Sequence, residues 1–332
     1  MSLIPKEVLK AGAETMNKKE VYAAVTAKII ANLETAGSWM KMWKVSTPVS
    51  LNGHVYKGIN RLVLSCDSYK SRVYGTFAQV RSNGGMVRKG EKSSLVVFWK
   101  KSIAIDEVTK ESKMMFLLKY YHVFNSEQAD FDEQGNAKIA QMNQDIADFQ
   151  KASILSAEEI IQGYPNPPHI RYTNKEDRAY YSPTPDMISI PEMKFFQTAD
   201  SFYKTLFHEM GHSTGHQKRL DRLEGFVVKG DETYSKEELV AEMCSAFLSG
   251  IADLDLDIRN SAAYIKGWST ILRNNENWVM WAASRAEKAA DHILGIVEGL
   301  GETEESKQER VKILAEFRAV LTADEVACYE RP

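Results

Sequence analysis

The stretch TLFHEMGHSTGH, residues 205 to 216, sets His208 and His212 four residues apart, with Glu209 directly after the first. On a helix, positions i and i+4 lie one above the other, so both imidazoles project from one face and can share a single ion. Glu209 is turned one residue further round, placed to take a proton from water rather than to ligate. This is why the H-E-x-x-H spacing recurs in zinc hydrolases: one helical turn carries two ligands and a general base. With seven histidines in 332 residues, the pattern arises by chance in about one such chain in a hundred, so it is read as a site.

A hydrolytic zinc site needs a third protein ligand and leaves a fourth position open. SKEELVAEMCSAFLSGI, residues 235 to 251, reads as a second helix whose Leu239, Met243, Ala246, Phe247 and Ile251 pack it against the first. Glu238 and Glu242 are again i and i+4. Glu238 is assigned as the third ligand, and Glu242 as the carboxylate that accepts a histidine ring N–H and fixes its tautomer. Two other readings stay open. Ser235 and Glu238 have the spacing of a capping box, in which Glu238 satisfies only a backbone N–H, and the adjacent Glu237 lets the ligand assignment slip by one. His216 lies beyond Gly215, where the helix is expected to end, and His169 has no partner at ligand spacing. Tyr234 and His216 are the side-chain candidates for stabilising an oxyanion.

Other elements must hold these residues in place. Thr198 and Asp200 are capping candidates for the motif helix. Upstream, RAYYSPTPDMISIP reads as a strand pair, or a strand and turn. Its MISIP segment is either an edge that pairs with an extended peptide or an ordinary core strand. Downstream, the spacing of Tyr264, Trp268, Ile271, Leu272, Trp278 and Trp281 predicts a helical pair closing over the motif helices. The tail from Gly301 offers one more amphipathic helix.

The first part of the chain has a different chemistry. NKKEVYAAVTAKIIANLETA carries Val21, Val25, Ile29 and Leu33 at a spacing of four, predicting an amphipathic helix ended by Gly37. VSLNGHVYKGINRLVL, SSLVVFWKK and MMFLLKYYHVFN follow as short strands. Residues 1–124 hold 20 Lys/Arg against 9 Asp/Glu, a net of +11, whereas 125–332 hold 22 against 36, a net of −14. Cations interleaved with aromatics suit single-stranded nucleic acid, because the cations neutralise phosphates while exposed rings stack on bases without a sequence code. The candidate DNA contacts are Trp43, Lys57, Asn60, Arg61, Arg88, Lys89, Lys92, Trp99 and Lys100. Strand alternation puts Phe98 and Trp99 on opposite faces, so one of them is expected to be exposed or in a groove.

The charge switch falls at NSEQADFDEQGNAKIAQMNQD. The expected organisation is a basic domain over 1–124, an acidic linker region over 125–165 and a second domain over 166–332. The fold class is α+β, a small basic α+β domain followed by a mostly helical one with a small sheet. A hydrophobic fraction of 44% with 26% charged residues is that of a soluble globular protein. Cys66, Cys244 and Cys328 are too few and too scattered for a disulfide framework. With no signal-peptide pattern and no apolar run of spanning length, the expected location is the cytoplasm, away from any membrane.

The blocks VYAAVTAKIIANLE, YKGINRLVL, VRKGEKSSLVVFWKK, YYHVFN, HEMGHSTGH, YSKEELVAEMCSAFL, AAYIKGW and SRAEKAADHIL, in that order, resemble the ArdC-like antirestriction proteins of conjugative plasmids and related mobile elements. The resemblance implies a single-stranded-DNA-binding domain joined to a zincin-like metallopeptidase domain, acting to protect incoming DNA from restriction. It also favours Glu238, because E-x-x-A, here Glu238 to Ala241, resembles the third-ligand helix of related zincin-like peptidases. The functional expectation is therefore a Zn2+-dependent peptidase of unknown protein or peptide substrate, tethered to a DNA-binding module. Two competing readings are a DNA-binding shield whose zinc is structural, and a peptidase whose basic half binds a protein partner.

Overall fold

Val21, Val25, Ile29 and Leu33 are all buried on one side of the first helix, α1 (Lys18–Ala36), as their spacing requires. The computed structural model describes residues 16–36, 48–105, 112–152, 155–175, 178–223, 232–254 and 262–296. Trp43 and the helix expected in the tail after Gly301 lie outside them. Helix α1 leads into β1 (Val49–Ser50), α2 (Gly58–Ser65), β2 (Val73–Gly75), α3 (Phe77–Ser82) and β3 (Gly85–Val87). A long hairpin follows, β4 (Ser94–Ile105) and β5 (Ser112–Asn125), and then β6 (Ala129–Phe131).

The principal sheet has the order β1-β2-β5-β4, with β1 parallel to β2 and the other pairs antiparallel. In the hairpin Val97 pairs with Tyr120 and Trp99 with Leu118. Strand β4 is therefore an edge, whose unpaired backbone groups invite another strand. Asn60 covers it at one point, where its amide donates to Val97 O at 2.7 Å and its Oδ1 accepts from Val97 N at 2.8 Å.

Two expectations change here. The run VSLNGHVYKGINRLVL is a strand only at Val49–Ser50, and its second half is α2. Ile59, Leu62 and Val63 recur at three and four residues, and burying that stripe decides for helix over the β-branched composition. The stretch expected as a linker over 125–165 holds β6, α4 (Glu133–Ala152) and α5 (Ala157–Gly163). Ile139, Met142 and Ile146 of α4 pack against the cluster of Leu51, Val73, Val80 and Ala129, an apolar stripe that the acidic composition of the segment conceals.

The chain continues through a three-stranded sheet of β7 (His169–Thr173), β8 (Tyr180–Ser182) and β9 (Met187–Pro191), in the order β7-β9-β8. MISIP is the central strand, with β7 parallel on one side, β8 antiparallel on the other, and Ile188 and Ile190 fully buried. It offers no free edge. Helices α6 (Ala199–Ser213), α7 (Glu232–Ile251), α8 (Ala262–Asn274) and α9 (Trp278–Ile293) complete the described fold. None of the described helices is long and apolar enough to cross a membrane.

The largest hydrophobic core crosses the charge boundary. Val21, Ile29, Leu62 and Val97 from the basic part share it with Phe207, Met243, Phe247, Ala282 and Ala286. Arg61 follows them inward, its guanidinium 4.1 Å from the Phe247 ring centroid, a cation–π contact across the two halves. Burial lowers its pKa to about 10, with Glu287 and Asp291 opposing. Gly58, at φ +55°, opens α2 in a conformation that favours glycine and donates its N–H to Glu287 Oε2 at 2.6 Å.

Burial, partly offset by Arg61, pushes the Glu287 carboxyl up from 4.5 to about 7. A folded value above the unfolded one means that this group's contribution to stability is full below about pH 4.5 and is lost as pH rises through about 7. In urea unfolding, the stability of the parent relative to Glu287→Gln is expected to fall across that window; a difference independent of pH would refute the assignment.

Candidate metal centre

Thr198 caps α6, its Oγ1 accepting from Ser201 N at 3.1 Å, and so sets where the helix begins. Ten residues on, His208 and His212 sit one turn apart with their Nε2 atoms 3.1 Å from each other. Helix α7 brings Glu238 to the same point. Its Oε2 is 3.4 Å from His208 Nε2 and its Oε1 3.5 Å from His212 Nε2. Among the described residues, these three are the one His/Cys/Asp/Glu group whose ligand atoms converge for a metal ion.

The spacing can be tested against an ion. Four ligands at about 2.1 Å in a tetrahedron lie about 3.4 Å from one another. The edges observed here, 3.1 to 3.5 Å, fit that figure. The opposite ring nitrogens support the same conclusion. His208 Nδ1 faces Glu242 Oε1 at 3.7 Å, and His212 Nδ1 faces Glu237 Oε1 at 3.5 Å. Carboxylates behind both Nδ1 atoms favour the N–H there and turn the Nε2 lone pairs toward the shared centre.

The electrostatics match this geometry. Burial disfavours a charged His212, but Glu237 and Glu238 outweigh it and raise the imidazole pKa to about 10. Burial likewise pushes Glu238 up, and His208 and His212 overcome it, holding the carboxyl well below the usual range. A cluster that draws a proton so strongly is equally suited to a cation. Glu209 is 7% exposed and close enough to influence both His212 and Tyr234. Tyr234, one turn before Glu238 on α7, hydrogen-bonds to its carboxylate. Burial and that bond push the phenol up to about 12.

Several candidates from the sequence fall elsewhere. His216 is buried, and its Nδ1 accepts from Lys218 N at 3.1 Å and lies 4.0 Å from Asp186, so it shapes the turn after α6. His169 is exposed at the start of β7. Glu237, which sequence reasoning weighed only as an alternative ligand, stands behind His212. Adjacent glutamates on a helix are about 100° apart, so Glu237 and Glu238 address different atoms of that ring. Arg222 was missed; its one signal was a cation in RLDRL shortly after the motif.

The candidate DNA contacts divide into two groups. Lys57, Lys89 and Lys92 are exposed, and Trp99 is 45% exposed while its neighbour Phe98 packs edge-on against Tyr121. Arg88 is exposed but paired with Glu91 at 3.1 Å and Asp130 at 3.2 Å. Lys100 continues β4. Asn60 and Arg61 are turned inward, one onto the β4 edge and the other onto Phe247, because the helix carrying them packs between the sheet and the C-terminal helices.

A two-histidine helix, a carboxylate helix beside it and a small mixed sheet define a zincin-like metalloprotein. The zincin-like metallopeptidase family model matches residues 157–285, and that of the N-terminal domain of anti-restriction factor ArdC matches residues 19–124. The chain is 35% identical to the antirestriction ArdC protein from plasmid R388 in its metal-free crystal structure, covering 82% of this chain and 96% of that one with a TM-score of 0.60. Against the Mn(II)-bound structure of the same protein the identity is 32%, the coverage 85% and 99%, and the TM-score 0.60. The chain belongs to the ArdC family of antirestriction proteins, and its zincin-like domain implies a metal.

Among curated proteins, DNA primase TraC of Escherichia coli is 32% identical over 302 residues, 83% of this chain but 27% of the primase. The chain thus spans about a quarter of that relative's length. The uncharacterized protein y4eC of Sinorhizobium fredii is 30% identical over 82% of this chain and 91% of its own.

A Cβ added at Gly211 would lie 3.2 Å from Ala241 Cα, so glycine lets α6 and α7 approach closely beside His212. Gly211→Val is expected to part the helices and weaken metal binding at least tenfold, read by chelator competition; unchanged affinity in a folded variant would refute this role.

Proposed function

We propose that this chain is an antirestriction protein that binds single-stranded DNA without sequence preference through residues 1–124 and carries a Zn2+-dependent peptidase site in residues 166–332. The observation that carries the reading is the convergence of His208, His212 and Glu238 at metal-ligand spacing beside the buried Glu209. When bound, zinc supplies Lewis acidity, polarising a scissile carbonyl and making water acidic near pH 7. Glu209 takes the proton from the attacking water at its carboxylate and delivers it to the leaving amine. Glu242 and Glu237 hold the two imidazoles in the tautomer that ligates. The Tyr234 phenol donates to the Glu238 carboxylate and helps hold it toward the imidazoles.

On the DNA side, Lys57, Lys89 and Lys92 supply exposed charge and Trp99 an exposed ring, the combination that tracks a phosphate backbone and stacks on bases. The ArdC-type N-terminal segment supports the same reading. We place the protein in the cytoplasm, in keeping with the two described cysteines, Cys66 and Cys244, which are both free thiols.

Glu209→Gln is expected to lower cleavage of a peptide library by about 10²–10⁴-fold while zinc affinity stays within about twofold. Equal cleavage by parent and variant would sink the catalytic assignment. Lys89→Glu/Lys92→Glu is expected to weaken oligothymidine binding by the full chain and flatten its salt dependence, and Trp99→Ala to cost about 1–3 kcal/mol with the salt slope unchanged. Binding insensitive to all three changes would remove Lys89, Lys92 and Trp99 from the interface.

A second reading, in which the metal serves the fold and the protein shields DNA without cutting, draws on α7. That helix carries both Glu238 and Phe247, the latter under Arg61 from the basic half. Plasmid protection by Glu209→Gln at the parental level would decide for it.

A further inference from the structure

We infer that Arg222 is a positioning residue of the metal site, acting through Glu237 on His212. The inference rests on the reading of His208, His212 and Glu238 as metal ligands. Arg222 lies on the segment that leaves α6, and its guanidinium makes four hydrogen bonds in two directions. Nε and Nη2 donate to Glu237 Oε2 and Oε1 at 2.8 and 2.7 Å, a fork on both carboxylate oxygens. Nη1 donates to Thr214 Oγ1 and Nη2 to the Gly211 carbonyl, each at 2.9 Å. Gly211 and Thr214 flank His212 in sequence, and Glu237 adjoins Glu238. One planar cation therefore ties the end of the two-histidine helix to the first turns of the glutamate helix.

Three physical consequences follow from that position. The Arg222 and Glu237 side chains are each 8% exposed, so the carboxylate depends on the guanidinium for its counter-charge, as water is largely excluded. With both oxygens held, Glu237 can present Oε1 to His212 Nδ1, 3.5 Å away, in only one orientation. That orientation places the N–H on Nδ1 and leaves Nε2 to ligate. The cation also sits at the C-terminal end of α6, where the helix dipole favours it. Lysine carries the charge but lacks the fork, so it cannot hold both oxygens and the Gly211 carbonyl together.

The test uses the full chain, with zinc dissociation constants from chelator competition and the visible spectrum of the Co2+-substituted protein as a report on ligand geometry. Arg222→Gln and Glu237→Gln are each expected to weaken zinc binding by about 10–100-fold and to alter the cobalt spectrum. Arg222→Lys should recover only part of the loss. The double variant should be no weaker than the worse single one, because the two residues act through each other. Lys218→Ala, at a side chain 67% exposed, should leave both readouts at the parental values.

Where Arg222→Gln does not fold, Arg222→Lys, which keeps the buried charge, decides alone. Zinc affinity within about twofold of the parent and an unchanged cobalt spectrum would overturn the inference, as would a double variant whose loss is the product of the two single losses. A parent that binds neither zinc nor cobalt would instead bring down the metal-site reading itself.

Discussion

Helices α6 and α7 come close enough for Glu238 of one to meet His208 and His212 of the other, and the rest of the site depends on that approach. It is a backbone matter first. Gly211 faces Ala241 so closely that a Cβ there would sit 3.2 Å from Ala241 Cα, and Ala241 and Cys244 are fully buried. Small residues where two helices touch let carboxylate and imidazole, both short of reach, converge within 3.5 Å. Larger ones would leave the motif intact in sequence and its ligands apart in space.

Around that contact the protein has gathered Glu209, Glu237, Glu238 and Glu242. Carboxylates withdrawn from water are stabilised only when something positive answers them. Arg222 answers Glu237 through a fork, and the imidazoles share the remainder. The charge imbalance that is left explains why His212 holds a proton so firmly and why a divalent cation suits the same place. The Mn(II)-bound structure of the R388 relative is in keeping with a site whose chemistry is set by charge and spacing.

The basic and acidic parts of the chain are not strung together loosely in the described fold. The described residues up to Leu294 form one compact unit, and its largest core contains side chains from both parts. Thr26 of α1 donates to the Glu276 carbonyl, Asn60 covers the β4 edge, and Arg61 lies over Phe247. Of the polar residues that composition assigns to a DNA-facing surface, Arg61 thus joins the two halves, while Asn60 is spent inside the basic one. Lys57, three residues before Asn60, remains exposed because it precedes the helix whose inner face the others occupy.

What was legible in the sequence was whatever a local period encodes. The i, i+4 spacing put His208 and His212 on one face, the spacing of four defined α1, and alternation separated Phe98 from Trp99. The same logic placed Glu238 and Glu242 together but left three roles open for Glu238, because a capping box, a ligand and a neighbour slipped by one share nearly the same local pattern. Only the tertiary structure shows that the Glu238 carboxylate faces both Nε2 atoms, by bringing a second helix to a particular depth. It also decided what composition hid: α2 in place of a strand, α4 in place of a linker, MISIP at the centre of its sheet, and Arg222 behind Glu237. The physical reason is common to all of these. Periodicity states which face of an element is apolar or ionisable, whereas which faces meet is fixed by packing between residues far apart in the chain, and that information is not held in any one segment.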